Sequence, residues 1–291
     1  MEKPFCYRTQ DHTLIHGTIH SDQGEPILFL HYMGGNEAIW NGVIPSFTNA
    51  YRVVTLNLRG HGKSEDPGKG YDFATLAEDI VLALDHLKID AAHLVGSSFG
   101  CSVATAFAAR FPERTLSLVN SEGAMQNDAG PGGKYTESKE EFMEGLAKGA
   151  EVNTYPSKEA FIATLKREWL PWNSIKENSL KGIDLALQSD GTYVRKPSIA
   201  SWLQIKGHQF DIRLEDWYEE ISCPVLFLPA AEEGGLDGKL SFIKEKIQPV
   251  LSSSKIEVIP GTTHAMMFDH DQELSAAILT FHKECVGLSM I

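Results

Sequence analysis

The pentapeptide Gly96-Ser97-Ser98-Phe99-Gly100 sits where an apolar run, "AHLVG", gives way to an Ala-rich amphipathic stretch from Phe99 to Phe111. Glycines two residues either side of a serine suit a chain that reverses direction with almost no space around it. The pattern strand, G-x-S-x-G, helix is that of a nucleophile elbow. Ser98, the central residue, is expected to stand at the end of the strand above the N-terminus of the helix. Unpaired N–H groups and partial positive charge there favour an oxyanion. Ser97 is read as a small neighbour that fits the turn. The five residues alone describe a Ser/Gly turn equally well, so it is the strand-turn-helix setting that carries the expectation. A serine hydroxyl is a poor nucleophile near neutral pH and needs a base from elsewhere in the chain.

The elements that would position such a site are visible along the sequence. Glu25 to Tyr32, Tyr51 to Leu58, "AHLVG", "LSLVN", "CPVLFLPA" and "SKIEVIPG" are short apolar runs ending in turn residues. Between them lie helical patterns at Glu37 to Phe47, Thr75 to Leu87, Phe99 to Phe111, Lys239 to Val250 and Asp271 to Cys285. Strands apolar throughout and separated by crossover helices predict a parallel sheet covered on both faces. The first residues, "FCYRTQDHTLIHGTIHSD", alternate weakly and predict an antiparallel hairpin on its edge. From about Ala124 to Glu215 the rhythm breaks: "KEEFMEGLAKGAE", "SKEAFIATLKREW" and "SIKENSLKGIDLALQSD" read as helices and "GTYVRKPS" as a turn region. The expected organisation is a core of residues 1–123 and 216–291 with a helical cap inserted at 124–215.

Composition narrows the classes. With 26 basic against 39 acidic residues and a net charge of −13, the surface repels phosphate backbones, which argues against nucleic-acid binding. Four widely spaced cysteines form no CxxC pair and match neither a zinc site nor a disulfide framework. No run approaches a membrane span and no secretory signal region precedes the first strand, so a cytoplasmic protein without a membrane partner is expected. No metal-ligand spacing and no nucleotide-binding glycine motif occurs, so no cofactor is expected.

The chain resembles the α/β-hydrolase superfamily over nearly all its length. "FLHYMGGNEAIW" is similar to the family's oxyanion loop after the third strand, and "NLRGHGKS" to its loop after the fourth, usually written with Asp where this chain has Asn57. "HLVGSSFG" matches the elbow and "VIPGTTHAMMFD" the loop that bears the catalytic histidine. Four signatures in the family's order imply an α/β-hydrolase fold: a mostly parallel eight-stranded sheet with helices on both faces and an inserted helical cap. The resemblance makes His264 the base and gives His31 and His61 the task of organising loops.

The acid that would orient His264 is less settled. The family usually places Asp after the seventh strand; "CPVLFLPAAEEGG" puts Glu233 there, with Glu232 beside it, and Glu233 is the first choice. Glu122, in "LSLVNSEGA", is the rival, because relatives such as haloalkane dehalogenases take their acid from that location. Asp237 is left to cap the next helix. By the family pattern, the backbone N–H groups of Phe99 and Met33 form the oxyanion hole. Tyr32 stands where the family commonly has Gly, so its phenol either meets the substrate or packs on the loop. Trp169, Trp172, Trp202 and Phe210 are the large aromatics of the expected cap, most of them assigned to its core, and with Tyr32 Trp202 is a candidate for the pocket.

These readings predict a cofactor-independent serine hydrolase that cleaves a carboxylic ester of a small or medium substrate through an acyl-enzyme. A lactonase or C–C bond hydrolase on the same triad, a non-turnover ligand receptor, and a minor perhydrolase activity are the alternatives. Serine in place of aspartate at the elbow argues against dehalogenase or epoxide hydrolase chemistry. Oligomeric state is not readable from the sequence.

Overall fold

Along each apolar strand, side chains alternate between the two faces, and this decides what each layer of helices touches. The computed structural model describes residues 2–150, 154–181 and 185–285. Its strands are β1 (Lys3–Arg8), β2 (Leu14–Ile19), β3 (Glu25–Leu30), β4 (Tyr51–Asn57), β5 (Ala92–Ser97), β6 (Thr115–Ser121), β7 (Thr154–Tyr155), β8 (Leu185–Leu187), β9 (Tyr193–Arg195), β10 (Val225–Leu228) and β11 (Ser254–Ile256). The helices are α1 (Phe73–His86), α2 (Phe99–Arg110), α3 (Lys139–Ala150), α4 (Lys158–Glu168), α5 (Ser174–Lys181), α6 (Ile199–Phe210), α7 (Leu214–Glu219), α8 (Leu236–Phe242), α9 (Met266–Asp269) and α10 (Asp271–Cys285).

Eight strands form one sheet in the order β1-β2-β4-β3-β5-β6-β10-β11. The β1–β2 and β2–β4 pairings are antiparallel and the remainder are parallel. Leu28, Leu30, Val54, Leu56, Leu94 and Leu118 face one core, shared with Leu76, Ile80 and Leu84 of α1 and Val103 and Phe107 of α2. Their neighbours Ile27, Phe29, Val53, Val95 and Val119 face the other, built with Trp40, Phe47 and Leu274, Ile278 and Phe281 of α10. The two-sided burial read from the apolar strands is therefore present, and the first residues form the expected hairpin. No helix among the described residues is long and apolar enough to cross a membrane.

The helical reading needs correction in four places. Residues 37–47 form two 3-10 turns, Glu37–Trp40 and Ile44–Ser46, instead of one helix. Gly42 weakens the helix and Pro45 has no N–H to continue it. The helix expected from Lys239 begins earlier, at Leu236, and after Phe242 widens into a π turn (Ile243–Ile247) and a 3-10 turn. Gly235, at φ 83°, holds the capping position, so Asp237 lies in the first turn and caps nothing. Residues 174–190 are not one helix: α5 covers Ser174–Lys181, and Leu185–Leu187 is a strand paired with Tyr193–Arg195, so the supposed turn region contains a strand. Tyr193 and Val194 favour extended backbone, and β9 is flanked by the near strand β8 and by β7, some forty residues earlier, a pairing no local pattern shows. The helix read through Glu151 and the middle of the 174–190 segment, residues 182–184, lie partly outside the described residues.

Between β6 and β10 the chain thus holds helices α3 to α7 and a small antiparallel sheet in the order β7-β9-β8. This segment has a core of its own, Phe161, Leu165, Leu180 and Leu185, with Trp169 and Trp172 packed against it. It is attached to the main domain by apolar residues, Ile205, Ile212 and Leu214, which enter the core of α1 and α2, and by polar contacts. Asp66, after β4, accepts hydrogen bonds from Tyr71 Oη (2.6 Å), Ser198 N (2.9 Å) and Ser201 Oγ (2.6 Å), which ties the start of α6 to the sheet's edge. Those three donors outweigh the cost of burial and hold the Asp66 carboxyl down to about 2. Lys176, buried, donates to Asp269 at 2.8 Å and to two backbone carbonyls.

On the opposite side, α10 is docked through a buried imidazole pair. The rings of His93 and His282 lie 4.4 Å apart, and both contact Ser117 Oγ, at 2.9 Å and 3.2 Å. His282 also meets Tyr51 Oη at 3.1 Å, and His93 lies 3.4 Å from Glu25. Burial lowers both imidazoles, His282 to about 3. Below pH ~6.5 the unfolded chain binds protons that the folded chain refuses, so stability falls as pH falls, by at most about 1.4 kcal/mol per pH unit for each histidine. Urea titrations between pH 7.5 and 4.5 should show that loss in the wild type and a shallower dependence in His282→Gln. Equal slopes would remove this pair as the cause.

Candidate active site

Ser98 lies between the end of β5 and the first residue of α2, at φ 52° and ψ −112°. A non-glycine residue there carries backbone strain of about 1–3 kcal/mol that the surroundings must hold in place. They do so by hydrogen bonds and by close approach. Ser98 N donates to Ser121 O at 3.1 Å, and Cys101 N to Ser98 O at 3.0 Å. A Cβ on Gly100 would lie 2.3 Å from Leu30 O, and one on Gly123 would lie 2.3 Å from Ser98 O. Both glycines are therefore positions where backbone passes against backbone. Ser97 is wholly buried, as a space-filling neighbour should be.

His264 and Glu233 arrive on the loops after β11 and β10. Those loops are pinned together: Glu232 N donates to Thr262 O at 2.8 Å and Ala231 N to Thr262 Oγ1 at 3.0 Å. The result brings His264 Nδ1 to 2.9 Å and 3.1 Å from the two oxygens of Glu233. Burial would raise the Glu233 carboxyl, but its hydrogen bond to His264 and the cations around it hold it below its usual range. An ionised carboxylate only accepts, so Nδ1 carries the proton, and in the neutral ring Nε2 is left as an acceptor.

Glu122 is close but differently engaged. It follows β6 at φ 54°, is buried, and accepts from Ala230 N and Lys239 Nζ. Of the two glutamates, the one bonded to the histidine is Glu233. Glu122, Glu233 and His264 each offer a ligand atom within 4.8 Å of the others. The Lys239 ammonium already neutralises Glu122 and would repel a metal cation there.

Ser98, Glu122, Glu233 and His264 line one cavity of about 260 Å³. No hydrogen bond joins Ser98 to His264 among the described residues. The remaining lining includes Ser102, Gln126, Asp128, Lys134, Tyr135, Lys206, Gln209 and Lys239. Neither Tyr32 nor Trp202, the aromatics offered for the pocket, lines the serine's cavity. Sequence reading missed these polar residues because Lys134, Lys206 and Gln209 look like an ordinary solvated helix or loop face; only their convergence marks them.

The other expected site residues divide. Phe99 is the first residue of α2, where the helix offers its amide no acceptor, and its ring packs on His61 and Phe73. Met33 lines a separate cavity of about 230 Å³ with Gly34, Arg195, Pro197 and Trp202. Trp202 is thus a cavity residue, though not in the serine's cavity. Tyr32 lines neither; its ring meets Trp169 and Phe268 edge-on, both at 6.3 Å. Burial raises its phenol to about 12. The loop-organising roles of His31 and His61 match their contacts. His31 bridges Tyr32 O and Leu58 N at 2.8 Å and 3.0 Å, and His61 donates to Arg59 O at 2.8 Å.

A family model described as the alpha/beta hydrolase fold matches residues 25–271. The chain belongs to the α/β-hydrolase family. Among its relatives, a pimeloyl-[acyl-carrier protein] methyl ester esterase of Aeromonas hydrophila is 28% identical over 224 residues, 70% of this chain and 82% of that protein. A Bacillus subtilis (strain 168) protein, whose name assigns it provisionally as a 2-succinyl-6-hydroxy-2,4-cyclohexadiene-1-carboxylate synthase, is 27% identical over 83% of this chain and 84% of its own length. In fold, the chain is similar to an esterase from Exiguobacterium antarcticum, with a TM-score of 0.75 at 20% identity over 96% of this chain and 99% of that one.

In this α/β hydrolase the approach of Gly123 to the Ser98 carbonyl makes the elbow depend on a residue outside the G-x-S-x-G motif. Gly123→Ala should displace the Ser98 backbone and slow labelling of Ser98 by a fluorophosphonate by about tenfold or more, while circular dichroism stays native. Labelling at the wild-type rate would show that the turn has slack the distances deny.

Proposed function

We propose that this α/β hydrolase cleaves carboxylic esters of small or medium substrates through an acyl-enzyme on Ser98, with residues 124–215 acting as a cap over the site. The observation that carries the reading is the His264 Nδ1–Glu233 hydrogen bond inside the cavity that Ser98 also lines. That bond fixes the tautomer in which Nε2 can accept the serine proton. The hydroxyl and the imidazole share the cavity without touching, so the reading includes a short approach of the ring when substrate fills the space. Catalytic hydrogen bonds are often long before substrate binds.

In this scheme Ser98 Oγ attacks the ester carbonyl as His264 Nε2 takes its proton. The amides of Phe99 and Met33 hold the oxyanion, each contributing about 10²–10³ in rate. His264 then protonates the departing alcohol, and a water deprotonated by the same ring releases the acid and restores Ser98. The chemistry asks for no cofactor. The methyl ester esterase among the relatives supports ester cleavage. Among the described residues Cys6, Cys101 and Cys223 are free, which supports the cytoplasmic location expected from the sequence.

Ser98→Ala should abolish fluorophosphonate labelling and lower turnover of aryl esters by on the order of 10⁶-fold. Glu233→Gln should cost about 10²- to 10⁴-fold in kcat, as removal of a triad acid does. Glu122→Gln should cost far less, since that carboxylate is committed to Lys239 and Ala230. The reverse order of effects would transfer the role to Glu122. Parallel assays on acyl lactones and vinylogous diketones separate ester cleavage from its lactonase and C–C hydrolase alternatives, and tight binding without turnover would indicate a receptor.

A further inference from the structure

We propose that the cavity beside Ser98 binds substrates carrying a second, ionised acid group, and that Lys206 on α6 is the residue that recognises it. This deepens the ester-hydrolase reading and rests on it. The cavity holds three ammonium groups, Lys134, Lys206 and Lys239, and three carboxylates, Glu122, Asp128 and Glu233. Two of the carboxylates are committed. Glu122 is paired with Lys239 and Glu233 with His264.

Two lysines and one acid are left without an ion-pair partner among the described residues, although the wall as a whole is balanced, three ammonium groups against three carboxylates, for the neutral His264 ring that the hydrolysis scheme needs. Lys206 Nζ reaches Gln209 Oε1 at 3.3 Å and, among the described residues, forms no ion pair. Lys134 lies with its ammonium 5.3 Å from the Tyr135 ring and likewise forms no ion pair among the described residues. Asp128 has a buried oxygen with no hydrogen-bond partner, so it stands near the lysines without closing on them. Burial and the charge of Lys134 lower the Lys206 ammonium, opposed by Asp128; the lysines repel one another across the space. An anion between them would relieve that repulsion.

The gathering of lysines here is not a reflection of composition. The chain carries 39 acidic residues against 26 basic ones, yet three lysines converge on the wall of the nucleophile's cavity. A ligand carboxylate there would accept from Lys206 Nζ and from the Gln209 amide, one turn apart on α6. The scissile carbonyl would lie toward Ser98. The substrate class is therefore a half-ester of a short dicarboxylic acid, or a chemically equivalent ester with an anionic tail.

Binding can be measured without turnover in Ser98→Ala by calorimetry. The probes are the monomethyl esters of succinic, glutaric and adipic acids, each set against a neutral ester in which an isopropyl group replaces the carboxylate. At least one half-ester should bind about tenfold or more tightly than its neutral counterpart, the size expected of a hydrogen bond to a charged group. Adding Lys206→Met should erase that preference while leaving the affinity for the neutral ester unchanged, and Lys206→Arg should preserve it. Equal affinity for every charged and neutral pair, or a preference that survives Lys206→Met, overturns the proposal. Wild-type protein that fails to hydrolyse any of these esters, with the binding preference intact, would overturn the ester-hydrolase reading and leave the anion site standing.

Discussion

The strained turn at Ser98 is the constraint around which the molecule is arranged. A left-handed φ with ψ near −112° is not a conformation a serine adopts freely. It is held because β5 is locked between β3 and β6, while α2 is locked by its buried face. The chain between them has no other path. Gly100 lets α2 press on the carbonyls that end β3, and Gly123 lets the exit of β6 press on Ser98 itself. The strain is local, but its support comes from three strands and a helix.

The partner groups depend on a second constraint, the fastening of two loops through Thr262. Its hydroxyl and carbonyl receive the amides of Ala231 and Glu232, and this sets the carboxylate of Glu233 against the imidazole of His264. Glu122 lies near enough to compete. It is diverted by an ammonium and a backbone amide, and a carboxylate so engaged has little reason to turn to a histidine. The difference between two plausible acids is therefore one of hydrogen-bond commitments and not of distance alone.

The segment between β6 and β10 contributes in a different way. Its own core is small, and it is joined to the sheet both by Ile205, Ile212 and Leu214 in the main core and by polar contacts centred on Asp66 and Lys176. Through α6 it also delivers Lys206 and Gln209 to the wall of the serine's cavity. The cavity is consequently lined by charged and polar side chains. Trp172 packs within the segment, Trp169 lies between the segment's core and Phe268 of the main domain, and Trp202 faces the space beside Met33.

Much was legible in the residue order because it is governed by local rules. Apolar strands with turn residues at their ends gave the two-sided sheet, and Gly-Ser-Ser-Phe-Gly between strand and helix located the elbow, since only small residues tolerate that turn. His264 was singled out through a motif of similar locality. The residue order could not separate Glu233 from Glu122, because the choice rests on Lys239 and Thr262, which are distant in the chain. It misread Tyr193–Arg195, whose strand exists only through its partners, and it could not show that Lys134, Lys206 and Lys239 converge. Short-range sterics and periodicity are written in consecutive residues; the pairing of charges across a cavity is settled only when folding brings separate segments together.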